Sequence, residues 1–404
     1  MKKIKRLILH VGTIKTGSSS IQQSFGKGRD ALLSYNIHYP NIRPKNHIFN
    51  FVPIFLDNPD SSFVFRMQLK ASEDKHAKVE NYRKTWVKEI ASCKKDNFII
   101  SAEGLTVPTF PRKAVKRLKT FVDQYFEQVI IIAYVRHFNQ WIPSRIQQAI
   151  RNSDTMMDIQ ELVNHLLECP PSMSYKQSLQ KWEKVFGREN LVVRPFDPKT
   201  FYNGSLLSDF FQAVGLPADE ISIPEIRSNE SIGKHGVAFL QKYNEAYPLF
   251  IDGKINIDRG SANNSTVVDM YRNVVDEKFR LKLMYTPEQV QRFNEEIDYV
   301  NQFFTDGYQF HQVSPGRGEI EIPNANDIPV EFFVELINNY NKKIRDLQEQ
   351  IEAFLRSLIF IWKILEIMRF PLVLSFLNKL PFLKGRFERI IFVYTQYSQK
   401  MRAD

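Results

Sequence analysis

The chain has 404 residues, of which 43% are hydrophobic, 25% are charged and 13% are aromatic. This composition excludes a wholly disordered or collagen-like chain, and the length allows two or three domains with a sizeable core. The two cysteines, Cys93 and Cys169, are too few for a disulfide framework, lack metal-ligand spacing and suit a reducing compartment. The net charge of +10 favours an anionic partner, such as a nucleotide, an acidic glycan, nucleic acid or a membrane surface.

The start of the chain predicts a strand, a loop and a helix. A short buried strand is predicted over residues 7–11, a glycine-bearing loop over 12–17 and a helix over 18–33. A second short strand follows at 36–39. Four prolines make residues 40–75 irregular, and we interpret them as a long functional excursion. Strand, loop and helix in this order indicate an α/β domain.

The middle of the chain continues this alternation. Helices are predicted over 78–95, 111–126, 138–151 and 205–214, and strands over 97–101, 128–135 and 189–194. The strand at 128–135 is apolar nearly throughout, as in a parallel sheet that is buried on both faces. The pattern predicts an α/β fold with a central, mostly parallel sheet, and such sheets bind ligands beyond the carboxyl ends of their strands.

The loop after the first strand is suited to holding a phosphate. Gly12 and Gly17 bracket it, Lys15 lies inside it, and three serines follow the second glycine. Loops of this kind wrap backbone N–H groups round a phosphate, and the dipole of the following helix assists. A Walker A loop needs a lysine directly after its second glycine, where this chain has Ser18. The loop therefore keeps the glycine spacing that suits a phosphate, but it lacks the lysine of the kinase-type loop that works with Mg²⁺.

The segment from His10 to Ser20 resembles the 5′-phosphosulfate loop of sulfotransferases that use 3′-phosphoadenylyl sulfate (PAPS). It is most similar to the bacterial carbohydrate type, which acts on capsular or heparan-like polysaccharides, with serines here for the usual threonines. The resemblance implies a P-loop-like three-layer fold, PAPS as the sulfuryl donor and no metal. The nucleotide-binding residues that it implies in the loop are Gly12, Thr13, Lys15, Thr16, Gly17, Ser18, Ser19 and Ser20.

A second nucleotide element is predicted where the strand at 128–135 runs into Arg136, with Ser144 eight positions later. In the family these two residues hold the 3′-phosphate that distinguishes PAPS from ATP. The planar guanidinium of arginine suits a dianionic phosphate because it donates hydrogen bonds in pairs. The usual Asn/Asp-Pro after the arginine is His137-Phe138 here. A late Arg-Lys-Gly-rich loop is absent, and residues 227–234 resemble a late Asn-x-Ser segment instead, whose Lys234 is a further candidate for the nucleotide.

The resemblance also implies a catalytic base and a residue that stabilises the leaving group. Glu103 follows the strand at 97–101, where relatives have a glutamate, and we assign it as general base. Lys15 would neutralise charge on the departing 5′-phosphate. His47 lies where relatives often have a histidine pair, so it is a rival base or a group that positions the acceptor. Glu103 as a turn cap and His47 as an ordinary structural residue stay open.

The C-terminal region has a different pattern. Residues 1–315 are predicted as the sulfotransferase domain, 316–328 as a linker and 329–370 as a heptad helix. The heptad seam consists of Ile337, Tyr340, Ile344, Leu347, Ile351, Phe354, Leu358, Ile361, Leu365 and Met368. A coiled coil that pairs two copies of the chain through 337–368 and a helix packed back on the enzyme are equally open.

Residues 371–404 form a basic amphipathic segment. Over residues 356–404 the chain carries nine Lys or Arg and three Asp or Glu, a net charge of +6. Peripheral contact of residues 356–402 with an anionic membrane, docking onto a polysaccharide-assembly partner and an internal helical subdomain are the three interpretations.

These patterns together predict a PAPS-dependent sulfotransferase that modifies a hydroxyl group of a capsular or lipid-linked glycan. The alternatives are an ATP-dependent phosphotransferase of P-loop kinase type and a non-catalytic glycan- or membrane-binding scaffold. We expect no nucleic-acid partner, because the basic residues are dispersed and no binding motif is present. We also expect no signal peptide and no membrane span. This predicts a cytoplasmic protein, for which peripheral contact with the inner membrane surface stays open.

Overall fold

A computed structural model describes the chain at residues 3–42, 46–62, 65–66, 69, 73–152, 157–170, 173–226, 232–251, 254–256, 268, 274, 276–305, 307–316, 318 and 320–367. The strands are β1 (Ile4–Gly12), β2 (Ile37–His38), β3 (Asn97–Ser101), β4 (Phe126–Val135), β5 (Leu191–Pro195), β6 (Phe250–Ile251) and β7 (Lys254–Ile255). The helices are α1 (Ser18–Lys27), α2 (Arg29–Ser34), α3 (Lys75–Ser92), α4 (Arg112–Val122), α5 (Phe138–Asn152), α6 (Ile159–Leu167), α7 (Tyr175–Phe186), α8 (Leu206–Ala213), α9 (Lys234–Ala246), α10 (Pro287–Asn301) and α11 (Val330–Ile367).

The centre of the fold is a five-stranded sheet with the order β2-β3-β1-β4-β5, in which every pair is parallel. The predicted α/β fold with a central parallel sheet is confirmed. Ile8 of β1 pairs with Ile99 of β3 on one side and with Ile130 of β4 on the other. The strand order thus switches direction beside β1, and the carboxyl end of β1 is the edge at which open α/β sheets bind ligands.

Helices cover both faces of the sheet, which is why β1 is buried along most of its length. Ile8 points into a core formed with α1, α2 and α8, where Phe25 and Phe210 stack edge to face. Leu7 and Leu9 point to the opposite face because side chains alternate along a strand. There α7 packs against β4, β5 and α4. The sheet and the two helical layers hold the end of β1 rigidly.

The predicted helix over 18–33 is in fact two helices, α1 and α2, separated at Gly28. A Cβ at Gly28 would lie 2.7 Å from that of Ile223, so close packing here requires glycine. The helix predicted over 111–126 ends at Val122, and β4 starts at Phe126, two residues before the predicted strand. The interpretation of the sequence missed α6 and α7, although capping residues precede both.

Residues 46–62 of the predicted excursion form three short 3₁₀ turns at His47–Phe49, Val52–Phe55 and Pro59–Ser61. Phe51 and the buried Trp86 of α3 are in edge-to-face contact, with ring centroids 4.7 Å apart. The first turn also contacts β3. This part of the excursion is therefore packed beside the carboxyl end of β3.

The chain divides into two compact units, Met1–Asn264 with Asp276–Asp327, and Ser265–Val275 with Ile328–Asp404. In the second unit α11 is one continuous helix of 38 residues. Five residues of the predicted heptad seam have exposed side chains: Ile337, Tyr340, Leu347, Ile351 and Phe354. Among the described residues, no helix is both long and apolar enough to cross a bilayer. Residues 371–404 lie outside the described residues, so membrane contact through 356–402 stays a prediction.

We expect α11 to pair with a second copy of itself. Ile337 and Ile351, at the first position of their heptads, are exposed, Ile344 between them is half-buried, and β-branched residues at this position favour two parallel helices. The double change Leu347→Glu and Ile351→Glu places charges in this seam and should convert a dimer to a monomer in sedimentation velocity. The matched change Asn338→Glu and Asn339→Glu, outside the seam, should leave the dimer intact. A monomeric unaltered chain would contradict the pairing.

Candidate active site

The loop between β1 and α1 is held to the sheet by hydrogen bonds. The backbone N–H and the hydroxyl of Thr13 both donate to the carbonyl of Tyr134 in β4, each at 2.9 Å. The hydroxyl of Thr16 donates back to the carbonyl of Thr13 at 2.6 Å. Trp141 of α5 donates to the carbonyl of Ile14 at 3.0 Å. The hydroxyls of Thr13 and Thr16 therefore shape the loop.

The backbone N–H groups at residues 15–19 are available to a ligand. The first turn of a helix has no intrahelical partners for these groups. Within the described part of the chain, none of these five N–H groups donates a hydrogen bond. Gly17 caps α1 in the left-handed conformation, with φ +78°, and Lys15 is also left-handed, with φ +66°. The loop and the start of α1 thus form a concave row of donors of the kind that binds a phosphate or sulfate group.

Two glycines of the loop are needed because neighbouring residues approach closely. A Cβ at Gly12 would lie 3.1 Å from the carbonyl oxygen of Glu103. A Cβ at Gly17 would lie 2.8 Å from the ring of Phe196 and 2.6 Å from Leu206. Both glycines also have positive φ values, which L-residues rarely adopt. The approach at Gly12 brings the loop against the turn that carries Glu103.

Lys15 lies in a strongly positive environment. Burial, together with the nearby charges of Arg136, Arg145 and Arg151, lowers the pKa of its ammonium group to about 8. Glu103 is the one group that acts in the opposite direction among those that influence Lys15. The charge of Arg136 beside Lys15 makes this end of the sheet suited to an anionic ligand.

Glu103 begins a short turn, Glu103–Leu105, directly after β3. Burial raises the pKa of its carboxyl group, whereas a hydrogen bond from the hydroxyl of Ser18 and the charge of Lys15 lower it. A partly buried carboxylate with a raised pKa beside a lysine can accept a proton closer to neutral pH than an exposed one. The structure therefore brings the predicted base, Lys15 and Ser18 together.

Arg136 follows β4 at the same edge of the sheet. Its guanidinium lies over the ring of Phe196 at 5.4 Å and makes long hydrogen bonds to the carbonyl of Lys15, at 3.5 Å, and to Gln140, at 3.4 Å. The hydroxyl of Tyr175 donates to the carbonyl of Arg136 at 2.5 Å. These contacts hold the guanidinium beside the loop.

Ser144 lies in α5, three residues after Trp141. Its side chain is partly exposed. Positions three and four apart share a helix face, so Ser144 is on the face that donates to the loop through Trp141. Ser19 and Ser20 lie in the first turn of α1, also partly exposed. The 3′-phosphate role predicted for Ser144 stays a prediction.

His47 is fully buried below the strand end that carries Glu103. Its Nδ1 accepts a hydrogen bond from the backbone N–H of Ser101 at 3.2 Å, and its ring lies against Tyr39 and Trp86. Burial lowers the pKa of His47 to about 3, so the ring is neutral. This setting suits a residue that positions the end of β3.

Arg145, Arg151 and Phe196 were not predicted as contributors to the site. Arg145 and Arg151 lie six residues apart in α5, a spacing that does not place them on one helix face, so no sequence signal marked them. No sequence signal marks Phe196, which meets Gly17 through the fold alone. Residues 227–231 of the predicted Asn-x-Ser segment lie outside the described residues, while Lys234 begins α9. In the ranges that the structure describes, no cluster of three or more His, Cys, Asp or Glu is arranged to hold a metal ion.

No family model matches the chain. An uncharacterized protein of Archaeoglobus fulgidus is 22% identical over 233 residues, which span 57% of this chain and 60% of that protein. The fold is similar to that of a sulfotransferase from Alicyclobacillus acidocaldarius, with a TM-score of 0.36 and 16% identity over 57% of this chain and 87% of that one. It is also similar to retinol dehydratase in complex with androsterone and the inactive cofactor PAP, with a TM-score of 0.32 and 10% identity over 76% of this chain and 84% of that one.

A methyl group at Gly17 should destabilise the protein more than one at Gly204. Both glycines are left-handed, with φ +78° and +68°, but a Cβ at Gly204 has no neighbour within 4 Å. We expect Gly204→Ala to lower the free energy of unfolding by about 1 kcal/mol, the cost of the left-handed conformation. Gly17→Ala should lose about 2–4 kcal/mol, since overpacking against Phe196 and Leu206 is added. Urea unfolding measures both, and equal losses would show that these contacts do not constrain the loop.

Proposed function

We propose that this protein is a sulfotransferase that moves the sulfuryl group of PAPS to a hydroxyl group of a carbohydrate, such as a capsular or lipid-linked glycan. The observation that carries the proposal is the convergence of Lys15, Glu103 and Arg136 at the phosphate-binding loop. The resemblance of residues 10–20 to the phosphosulfate loop supplies the substrate class. The parallel sheet supports the proposal because its ligand edge carries all three residues.

The loop fits a phosphosulfate better than the γ-phosphate of a bound ATP–Mg²⁺. A kinase of the P-loop type uses a lysine at the position of Ser18, whose hydroxyl here donates to the carbonyl of Thr13 at 3.4 Å and helps to lower the pKa of Glu103. In our proposal the N–H groups at 15–19 hold the 5′-phosphosulfate, and Arg136 with Ser144 holds the 3′-phosphate. PAPS supplies an activated sulfuryl group whose leaving group is adenosine 3′,5′-bisphosphate.

Glu103 and Lys15 take the two complementary roles in the transfer. The acceptor oxygen forms a bond to sulfur as the bond from sulfur to the bridging phosphate oxygen breaks, and Glu103 takes the proton of the acceptor hydroxyl. The ammonium group of Lys15 offsets the negative charge that develops on the leaving 5′-phosphate. A bound polyanion also raises the pKa of Lys15 again, since opposite charge favours the protonated form. Lys15 is therefore fully charged when it is needed.

We propose Glu103 rather than His47 as the base. His47 is fully buried, its Nδ1 already accepts from Ser101, and its pKa is lowered to about 3. Its role in this proposal is to position the strand end that carries Glu103.

Calorimetry with adenosine 3′,5′-bisphosphate tests the donor. We expect this nucleotide to bind more tightly than 5′-AMP and ATP–Mg²⁺, and Arg136→Ala to weaken its binding at least ten-fold by removing charge-assisted hydrogen bonds, about 1.5–3 kcal/mol. Binding of 5′-AMP should change little in this variant, because 5′-AMP lacks the 3′-phosphate. Arg117→Ala, on the outer surface of α4, is the matched control.

Three other outcomes of the same titration would contradict the donor assignment. A preference for ATP–Mg²⁺ would favour the kinase alternative. Absence of nucleotide binding would favour a non-catalytic scaffold. An equal loss of 5′-AMP and bisphosphate affinity in Arg136→Ala would place Arg136 away from the 3′-phosphate.

The change Glu103→Gln tests the base. It keeps the size of the side chain and removes the proton acceptor, so transfer of radiolabelled sulfate from PAPS to a glycan panel should fall about 10²–10⁴-fold. Binding of adenosine 3′,5′-bisphosphate should persist, which separates chemistry from binding. Because burial raises the pKa of Glu103, the unaltered enzyme should lose activity as pH falls through a value above the usual carboxyl range. Asp123→Asn, a surface change in α4's C-cap, is the control, and unchanged turnover in Glu103→Gln would remove Glu103 as base.

A further inference from the structure

A second concave site lies next to the turn Glu103–Leu105. It is a cavity of about 310 Å³ between the loop at residues 106–111, the N-terminus of α4 and one face of α7. Its lining consists of Thr106, Pro108, Phe110, Pro111, Arg112, Gln177, Ser178, Gln180, Lys181 and Lys184. This volume lies at the lower end of the range for small-molecule sites, roughly 300–1,000 Å³.

The cavity is positively charged without compensation. Three of its lining residues are basic and none is acidic. Arg112 and Lys184 are exposed, and neither forms an ion pair or hydrogen bond with any residue in the described part of the chain. The first turn of α4 contains no acidic residue, and its N-cap, Pro111, offers no side-chain cap. The positive end of the helix dipole adds to the charge of Arg112.

The remaining lining groups are suited to a sugar. Gln177 and Gln180 present amide donors and acceptors to hydroxyl groups, one turn apart on the same face of α7. Phe110, stacked on Trp182 with ring centroids 6.3 Å apart, is fully buried behind the lining and supports it. Cations and amides together match a saccharide that bears a negative charge.

Lys181 holds the loop that lines this cavity, next to the turn of the proposed base Glu103. Its ammonium group donates to the carbonyls of Thr106, Val107 and Phe110 at 3.0, 2.9 and 2.7 Å. The hydroxyl of Thr106 in turn donates to the carbonyl of Glu103 at 3.1 Å. Thr106 therefore links the cavity to the turn that carries Glu103, and Thr106 and Ser178 also line a small cavity that reaches Thr13 and Ile14 of the loop.

We propose that this cavity binds an anionic sugar unit of the acceptor, with Arg112 and Lys184 on its carboxylate and Gln177 and Gln180 on its hydroxyl groups. The inference rests on the proposed function, because it states that the acceptor of the proposed transfer is a glycan that carries carboxylate groups. The bound unit neighbours the sugar whose hydroxyl faces Glu103.

Calorimetry at low ionic strength tests this site without the transfer reaction. The probes are a hyaluronan tetrasaccharide, which carries carboxylates, a chondroitin sulfate tetrasaccharide, which also carries sulfates, and the neutral chitotetraose. We expect hyaluronan to bind more tightly than chitotetraose, and the double variant Arg112→Gln and Lys184→Gln to weaken hyaluronan binding at least about ten-fold. The matched double variant Lys113→Gln and Lys116→Gln, on exposed positions of α4 outside the cavity, should change it less than about two-fold.

An equal loss in the two double variants would overturn the proposal, because it would indicate general attraction of polyanions to α4. Chitotetraose that binds as tightly as hyaluronan would also overturn it, as would binding of the sulfated tetrasaccharide alone. Titration with adenosine 3′,5′-bisphosphate separates the two proposals. If the bisphosphate binds all variants and hyaluronan binds none, the cavity assignment fails alone. If hyaluronan behaves as expected and the bisphosphate does not bind, the proposed function fails and the saccharide site stands.

Discussion

The candidate site depends on one close approach, that of the end of β1 to the turn after β3. A Cβ at position 12 would lie 3.1 Å from the carbonyl oxygen of Glu103, and the φ of +111° there also favours glycine. This approach brings a loop of backbone donors and a carboxylate, 91 residues apart in the chain, to one edge of the sheet. Phe196 makes two further close contacts at this edge, because its ring lies beside Gly17 and also beneath the guanidinium of Arg136. The site is thus held by packing as much as by polar contacts.

The electrostatics of the site follow from that packing. The charges of Arg136, Arg145 and Arg151 help to lower the pKa of Lys15, and burial removes the water that would screen its charge. Glu103 offsets part of this charge, and its raised pKa shows that burial outweighs the help from Ser18 and Lys15. An anion in the loop would lie beside Lys15 and Arg136 and offset their charge. Anion binding and the stability of this edge are therefore coupled, because a ligand that binds only the folded loop stabilises it.

A buried polar layer supports the strand end beneath Glu103. Ser101 receives contacts from three sides: His10 at 2.8 Å, Gln22 at 3.2 Å, and His47, which accepts its backbone N–H. Gln22 comes from α1, so this layer joins the helix of the loop to the strand of the base. Burial lowers the pKa of both histidines to about 3, and they remain neutral members of the layer. A neutral layer holds Glu103 in place without adding a charge that would compete with Lys15.

The sequence by itself determined the parallel sheet, the glycine-bearing loop after the first strand and the long C-terminal helix, because hydrophobic periodicity, glycine spacing and heptads are local patterns. It also placed the loop with Lys15, Glu103 and Arg136 at one edge, since all three lie just after predicted strands and the carboxyl ends of parallel strands share one edge, whereas their roles came from the family resemblance. Only the tertiary structure decided that His47 is buried below the strand end, that Arg145 and Phe196 belong to the site, and that α4 and α7 enclose a basic cavity. These depend on which faces of distant elements pack together, and burial and packing between distant segments leave no local trace in the order of residues.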